Sequence, residues 1–340
     1  MEQLGTTLVD VFSTCPQSKD LPQSEYLDSV IEISQWSEEF GCEGMLVYTD
    51  NGIVDPWAVA QVVLQNTKTL RPLVAIQPIY QHPYWTAKKI ASLAFLHGRS
   101  IFLNMLAGGF KNDLLALGDN TPHDDRYVRT VEYTNIVAAL CRGETVTFAG
   151  KYYNVENLKL VPAIPEELQP GLLSSGSSAA GMQAARDMSS IAVKYPKPPG
   201  EEEDVSEGHA PGYGVRVGIV ARDTADEAWE IALERFPEDR KGQITHQLAM
   251  KVSDSSWHEQ LSVRHDAEGK ERSPYWLGPF QNYRTFCPYL VGDYGQVAAL
   301  VATYIQSGYK TFILDIPPNR DELHHQGVVF RDAEKIVNGG

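Results

Sequence analysis

Cysteine, long apolar runs and positive charge are all scarce in this chain. Its 340 residues include four cysteines with no CxxC spacing, which disfavours a disulfide framework or a zinc site and fits reduced thiols in a cytoplasmic protein. No apolar run approaches the ~18 residues of a membrane-spanning helix, and the N-terminus lacks a signal-peptide pattern. The net charge of −15 argues against nucleic acid and anionic membranes as partners.

Predicted strands and helices alternate along most of the chain. The strands are predicted at residues 7–12, 43–49, 73–78, 101–106, 171–175, 190–195, 214–222 and 310–316. Eight such units in roughly 320 residues predict an α/β fold, the (β/α)₈ TIM barrel, as a single domain over residues 1–340. A doubly wound open sheet is the alternative, but its glycine pattern after the first strand is replaced by Ser13-Thr14-Cys15.

Three stretches interrupt this alternation. Residues 145–161 predict a β-hairpin around Ala149-Gly150. Residues 196–212 are rich in proline, glycine and acidic residues, which predicts an exposed link. Residues 237–289 form a long excursion, and its aromatic part near 250–286 predicts either a lid over the substrate or an interface between copies.

Polar residues end the predicted strands, where a parallel barrel places its active site. They include Tyr48 to Asp50, Gln77, His82, Asn104, Ser174 to Ser178, Lys194, Tyr195, Arg216 and Asp315. Paired carboxylates and a His/Asp metal trio are missing from this set, which disfavours a two-carboxylate hydrolase and predicts no metal site. Ser177 and Ser178 before a predicted helix fit either a phosphate site or ordinary N-capping serines.

Several motifs in a shared order resemble those of the bacterial luciferase-like flavin monooxygenases, and most closely their alkanesulfonate monooxygenase branch. The matching segments are Asn104 to Gly109, His123 to Tyr127, Gly143 to Tyr152, Gly176 to Ser178, Gly214 to Val217, Arg222 to Trp229 and Leu290 to Asp293. The resemblance implies the barrel fold and an enzyme that uses reduced FMN (FMNH2) from a separate flavin reductase, with O2, to oxidise a small organic molecule. It also leads us to expect a homodimer or homotetramer.

The resemblance also implies roles for individual residues. Asn104 would contact the flavin ring, and Tyr127, Ser177 and Ser178 would hold the FMN phosphate, with His123 shaping that pocket. The flavin's inner face would be lined by Thr49 and Gln77, while Tyr195 would pack on the flavin or belong to the core. The predicted catalytic residues are Arg216, His82 as an acid or base, and Arg284, which lies within one residue of the family's lid arginine.

Other positions depart from the alkanesulfonate enzymes. Gly218 stands where they have a histidine, Ile53 where they have a cysteine, and Pro317 at or near a tyrosine. The flavin residues match while the substrate residues differ, which predicts a substrate other than a sulfonate, larger and partly apolar, such as a natural-product intermediate. The alternatives are a deazaflavin-dependent dehydrogenase of the same superfamily, a non-catalytic flavin-binding protein, and a flavin-free barrel hydrolase or aldolase.

Overall fold

The chain has the (β/α)₈ TIM-barrel fold that the sequence predicts. The computed structural model describes residues 3–198, 200–201, 204–205, 208, 211–252 and 272–339. The barrel strands are β1 (Asp10–Thr14), β2 (Gly44–Val47), β3 (Arg71–Ile76), β4 (Phe102–Met105), β7 (Gly171–Ser175), β8 (Ile191–Lys194), β9 (Tyr213–Arg222) and β12 (Tyr309–Leu314). Four further strands lie outside it: β5 (Val146–Ala149), β6 (Asn154–Leu158), β10 (Tyr275–Trp276) and β11 (Tyr289–Asp293).

Helices connect these strands, as the alternating pattern requires. Before β9 they are α1 (Gln23–Glu39), α2 (Pro56–Asn66), α3 (Pro83–His97), α4 (Lys111–Ala116), α5 (His123–Cys141) and α6 (Ala179–Asp187). After it come α7 (Ala225–Arg235), α8 (Arg240–Val252), α9 (Gly278–Gln281), α10 (Tyr294–Gln306) and α11 (Arg320–Val337). None of the described helices combines the length and the apolar character that crossing a bilayer requires.

Two compact units make up the chain. The first comprises Met1–Thr14, Gln35–Glu43 and Val193–Gly340, and the second comprises Cys15–Ser34 and Gly44–Ala192. The sequence predicts that residues 1–340 form a single domain, and this assignment stays a prediction.

The second unit contains four adjacent parallel strands in the order β2-β3-β4-β7. Its core includes residues of α2, α3, α5 and α6 packed with those of β3 and β4. Because the strands run in the same direction, their carboxyl ends lie along one edge, and the residues that follow them share that edge.

Strand β9 of the first unit pairs with two different strands along its length. Its first half, to Val217, pairs with β12, and its second half, from Gly218 to Arg222, pairs with β11. Both pairings are parallel, and β1 pairs with β12 on that strand's other side. The polypeptide between β9 and β11 is therefore one long crossover connection.

The predicted hairpin is present as β5 and β6, and one glutamate on α5 fixes its turn. The Glu132 carboxylate accepts hydrogen bonds from the backbone N–H groups of Lys151 at 2.8 Å, Tyr152 at 2.8 Å and Tyr153 at 3.1 Å. A Cβ at Gly150 would lie 2.5 Å from the same carboxylate. The glycine thus lets the turn approach the helix closely enough for these bonds.

The structure corrects the sequence predictions at several places. β1 ends at Thr14, two residues later than predicted, and Thr14 donates its hydroxyl proton to the Leu314 carbonyl of β12. Strands β10 and β11 and helix α4 were not predicted. Residues 253–271 of the predicted lid, and parts of the predicted 196–212 link, lie outside the described residues.

Candidate functional site

Tyr127 of α5 lies over the start of α6 in the second unit. Its hydroxyl is hydrogen-bonded to the Ser178 side chain, and burial raises the pKa of Tyr127 despite the opposing effects of that bond and the Arg126 charge. A Cβ at Gly176 would lie 2.6 Å from the Tyr127 oxygen, and one at Gly181 would lie 3.1 Å from it. The glycines therefore make room for a tyrosine that stays a protonated donor at neutral pH.

Ser177 and Ser178 differ in what their hydroxyls do. Ser178 is the N-cap of α6, and its Oγ accepts from the Gly181 N–H at 3.1 Å. The Oγ of Ser177 is buried and has no hydrogen-bond partner among the described residues. A buried hydroxyl group without a hydrogen-bond partner lowers the stability of the folded protein by about 1–3 kcal/mol. The N-terminus of α6 also presents unbonded N–H groups and a partial positive charge, so this position fits an anionic ligand group such as a phosphate.

Asn104 lies on β4, beside the strand that leads to these serines. Only 5 % of its surface is exposed, and its Oδ1 accepts from the Ser175 hydroxyl at 2.9 Å. In the strand register Asn104 lies opposite Leu173 of β7. Asn104, Ser177 and Ser178 therefore lie near the same carboxyl edge, as the sequence interpretation requires.

Thr49 and Gln77 continue this edge along the neighbouring strands. Thr49 is half-buried and follows β2, and Gln77 follows β3 directly. The Gln77 side chain reaches the loop after β4, because a Cβ at Gly108 would lie 3.3 Å from its Oε1. Polar side chains predicted to bind the flavin thus lie at or after the carboxyl ends of four consecutive strands of the second unit.

The two predicted histidines both lie at helix N-termini. His123 is the first residue of α5; its Nδ1 lies 2.7 Å from Asp124 Oδ1, and its ring meets the Tyr127 ring edge-on at 5.2 Å between centroids. His82 is exposed and caps α3, its Nδ1 accepting from the Tyr84 N–H at 3.2 Å. His123 contacts the tyrosine at the candidate phosphate site, whereas His82 caps a helix and meets the Tyr153 ring edge-on at 6.1 Å between centroids.

A buried charged cluster lies in the first unit, between the middle of β9 and the carboxyl end of β12. Arg216 of β9 has its Nη2 3.9 Å from Oδ1 of Asp315, which follows β12. The other oxygen, Oδ2, accepts from Thr285 Oγ1 at 2.6 Å and from the Tyr289 hydroxyl at 2.8 Å. The Arg216 and Asp315 side chains are each 11 % exposed, so both charges are largely removed from water.

Tyr195 and Arg284, also in the first unit, have different surroundings. Tyr195 packs against an aromatic cluster that includes Trp229 and Tyr289, and burial, with smaller effects of Cys287 and Asp315, raises the pKa of Tyr195. Arg284 is more than half exposed and donates to Asp239 Oδ2 at 3.0 Å. The next residue, Thr285, donates its hydroxyl proton to Asp315.

Sequence reasoning missed Thr285 and Tyr289 and gave Asp315 no role beyond its place at a strand end. Tyr289 opens a run of five residues, Tyr289 to Asp293, that pairs as β11. That apolar run between Pro288 and a polar end was the available signal for a strand. Thr285 carried no comparable signal, because its partner is 30 residues further along the chain.

Comparison with known proteins adds independent findings. Residues 8–311 match the family model of the luciferase-like monooxygenases. The chain is 33 % identical over 310 residues to BtrO of Niallia circulans, a 4-(gamma-L-glutamylamino)butanoyl-[BtrI acyl-carrier protein] monooxygenase, covering 89 % of this chain and 90 % of BtrO.

Solved structures share the fold at low sequence identity. The long-chain alkane monooxygenase LadA has a TM-score of 0.72 and 15 % identity, with 98 % of this chain and 92 % of LadA covered. The oxygenating constituent of 3,6-diketocamphane monooxygenase from Pseudomonas putida, a complex with FMN, has a TM-score of 0.69 and 16 % identity, covering 96 % of this chain and 98 % of that one. The family model and the BtrO match together establish that the chain belongs to the luciferase-like monooxygenase family.

Proposed function

We propose that this enzyme binds reduced FMN, supplied by a separate flavin reductase, and uses O2 to oxidise an organic substrate. The observation that carries the proposal is the buried Ser177 hydroxyl without a partner among the described residues, beside Tyr127 and Ser178 at the start of α6. Bound reduced flavin would supply the electrons that activate O2.

The proposed FMN site is built from residues of the second unit. Tyr127, Ser177, Ser178 and the N–H groups of α6 would bind the phosphate, with His123 packed against Tyr127. Neutral hydroxyl groups and a helix N-terminus can donate hydrogen bonds to a phosphate dianion, even though the chain as a whole has a net charge of −15. Asn104 near the end of β4, Gln77 after β3 and Thr49 after β2 lie along the same edge and would contact the flavin ring.

Arg216 is proposed to stabilise negative charge that develops on a reacting oxygen. A buried guanidinium is fixed in place before the reaction, so little reorganisation opposes its effect. His82 is proposed as a catalytic acid or base and Arg284 as a further catalytic residue, both exposed and so open to a ligand. Tyr195 is proposed to pack beside the reacting groups.

The substrate class is proposed from the relative. BtrO acts on an acyl group attached to a carrier protein, and we propose a related acyl substrate, such as a natural-product intermediate, for this enzyme. Oxidised product should form only when FMN, a reductase, NADH, O2 and an accepted substrate are all present, and one oxygen atom of the product should come from O2. Product is measured rather than oxygen uptake, because free reduced flavin itself consumes O2. A panel of free acids, thioesters of a small thiol and carrier-bound acyl groups would identify which form is used.

The phosphate assignment is tested by titrating reduced FMN and reduced riboflavin, without oxygen, into the wild type and Ser177→Ala. Loss of one charge-assisted hydrogen bond should weaken FMN binding by about 1.5–3 kcal/mol, while riboflavin, which has no phosphate, binds both proteins equally. Ser92→Ala, which removes a hydroxyl bonded to the Lys88 carbonyl of α3, is the matched control. Equal FMN affinity in wild type and Ser177→Ala would reject the assignment. Tighter binding of oxidised than reduced FMN would contradict the reductase-dependent scheme.

A further inference from the structure

Gly218 is the residue of β9 against which the Tyr289 ring lies. The two are partners in the strand register, and a Cβ at position 218 would overlap the ring of Tyr289. Close-packed interiors do not tolerate such an overlap without displacing one of the groups. Glycine at 218 is therefore a condition for the observed position of Tyr289.

The ring position of Tyr289 determines where its hydroxyl points. Tyr289 is fully buried, and burial, reinforced by Asp315, raises its pKa well above the ordinary value, so it remains a hydrogen-bond donor. Its hydroxyl donates to Asp315 Oδ2 at 2.8 Å. Arg235 lies with its guanidinium carbon 5.6 Å from the Tyr289 ring centroid and donates to the Ile316 carbonyl at 2.6 Å, next to Asp315.

Both hydroxyl donors of the cluster bind the same carboxylate oxygen. Thr285 joins Tyr289 on Oδ2, which leaves Oδ1 as the oxygen that faces Arg216 at 3.9 Å. That separation is too long for a hydrogen bond but keeps opposite charges adjacent in a buried setting. The two donors thus hold one oxygen of the carboxylate in place, and the other oxygen faces the guanidinium and attracts it.

We propose that Asp315 is the positioning residue for Arg216, held in place by Thr285 and Tyr289 in the space that Gly218 leaves open. This inference rests on the proposed function for the role of Arg216 in stabilising charge. The arrangement itself is a property of the folded chain without flavin. A larger residue at 218 would displace the tyrosine, release the carboxylate and so misplace the arginine.

The arrangement is tested first on flavin-free protein by a double-variant comparison. Tyr289→Phe keeps the ring and removes the hydroxyl, and Asp315→Asn removes the charge. The fall in the denaturation midpoint for the double variant should be smaller than the sum of the two single falls, because Asp315→Asn weakens the charge-assisted hydrogen bond that Tyr289→Phe removes. Tyr304→Phe loses a buried hydroxyl bonded to the Lys197 carbonyl, and its effect should add to that of Asp315→Asn. Additive falls for Tyr289→Phe and Asp315→Asn would overturn the proposal.

The positioning role is tested by kinetics. Asp315→Asn and Gly218→Ala should each lower kcat about tenfold, with reduced-FMN affinity unchanged. In an Arg216→Gln background, Asp315→Asn should cause no further loss, because it acts through the arginine. Losses that multiply in that background would overturn the role. If the wild type shows no oxygen-dependent turnover, the proposed function fails, while the midpoint comparison still decides the arrangement.

Discussion

Glu322 of α11 forms a buried ion pair whose removal should destabilise the protein strongly. Only 1 % of it is exposed, and its two oxygens accept from Arg222 at 3.1 Å and 2.9 Å. Glu322→Gln should lower the free energy of unfolding by about 3–5 kcal/mol, because it leaves a buried guanidinium charge without its partner. Denaturant titration measures this.

The matched control is Glu39→Gln, which breaks a two-bond pair with Arg320 at the surface. Water and salt screen such pairs, so its midpoint should stay close to that of the wild type. Equal effects of the two variants would show that burial does not set the strength of these pairs.

Asp119 should make the stability of the second unit depend on pH. Burial alone would raise its pKa, but hydrogen bonds from Arg129 at 2.7 Å and from the Thr121 hydroxyl at 2.6 Å hold the pKa below the ordinary value. A lowered pKa means that the stabilisation is complete above the unfolded-state pKa, about 3.9, and is lost as the pH falls through the folded-state value.

The variant Asp119→Asn tests this directly. It should be less stable than the wild type by about 1.5–3 kcal/mol at pH 7, and the difference should shrink below about pH 4, where the wild-type carboxylate becomes protonated. Thermal unfolding across this pH range is the measurement. A difference that grows on acidification would contradict the assignment.

At the scale of elements, Glu132 should determine the order of the β5–β6 hairpin. One carboxylate accepts three backbone N–H groups at the turn. Glu132→Gln replaces one acceptor oxygen by a donor, so amide hydrogen exchange in Val146–Ala149 and Asn154–Leu158 should become faster. Glu144→Gln, which removes an exposed pair with Arg142, should leave the exchange of the hairpin unchanged. Unaltered exchange in Glu132→Gln would show that strand pairing alone orders it.

Elements with a clear local pattern were predicted well. The hairpin is signalled by alternation around Ala149-Gly150, and β7 has the predicted bounds because it continues the strand–helix alternation, although its partner β4 is distant in sequence. Helix α4 is six residues long, too short to show a helical period between the glycines that surround it. Strand β11 was missed because its first residue, Tyr289, was included in the weakly patterned stretch 237–289.

The residues of the candidate sites also divide into those with a local signal in the sequence and those without one. Asn104, Ser177 and Ser178 each follow or end a strand, so position in the alternating pattern was enough to select them. The surroundings of Arg216 come from residues 285, 289 and 315, which only the tertiary structure brings together. Sequence therefore indicated the arginine but not the carboxylate and hydroxyls that hold it.

At the scale of the whole molecule, α3 should form the interface of the predicted homodimer or homotetramer. Trp85, Phe95 and Leu96 are 58 %, 77 % and 66 % exposed, and residues 85 and 96 lie three helical turns apart on one face. Clustered exposed apolar side chains are typical of protein–protein interfaces.

Leu96→Lys should therefore shift the protein to monomer in light-scattering measurements of molar mass, because a charge would be buried at the interface. The control is Leu27→Lys, at an apolar side chain of α1 that is 51 % exposed. An oligomer that survives Leu96→Lys would place the interface elsewhere, and a wild-type monomer would refute the predicted assembly.

The pairing of β9 with both β12 and β11 affects where the sequence of this enzyme can change during evolution. The crossover begins after Arg222, the last residue of β9, and ends at Tyr289 of β11, whose last residue, Asp293, lies opposite Arg222. Since both ends of the crossover are fixed by the β9–β11 pairing, insertions and replacements between them need not alter the register of these two strands. Selection can thus remodel this crossover while the residues proposed to bind the flavin, which belong to the other unit, stay as they are.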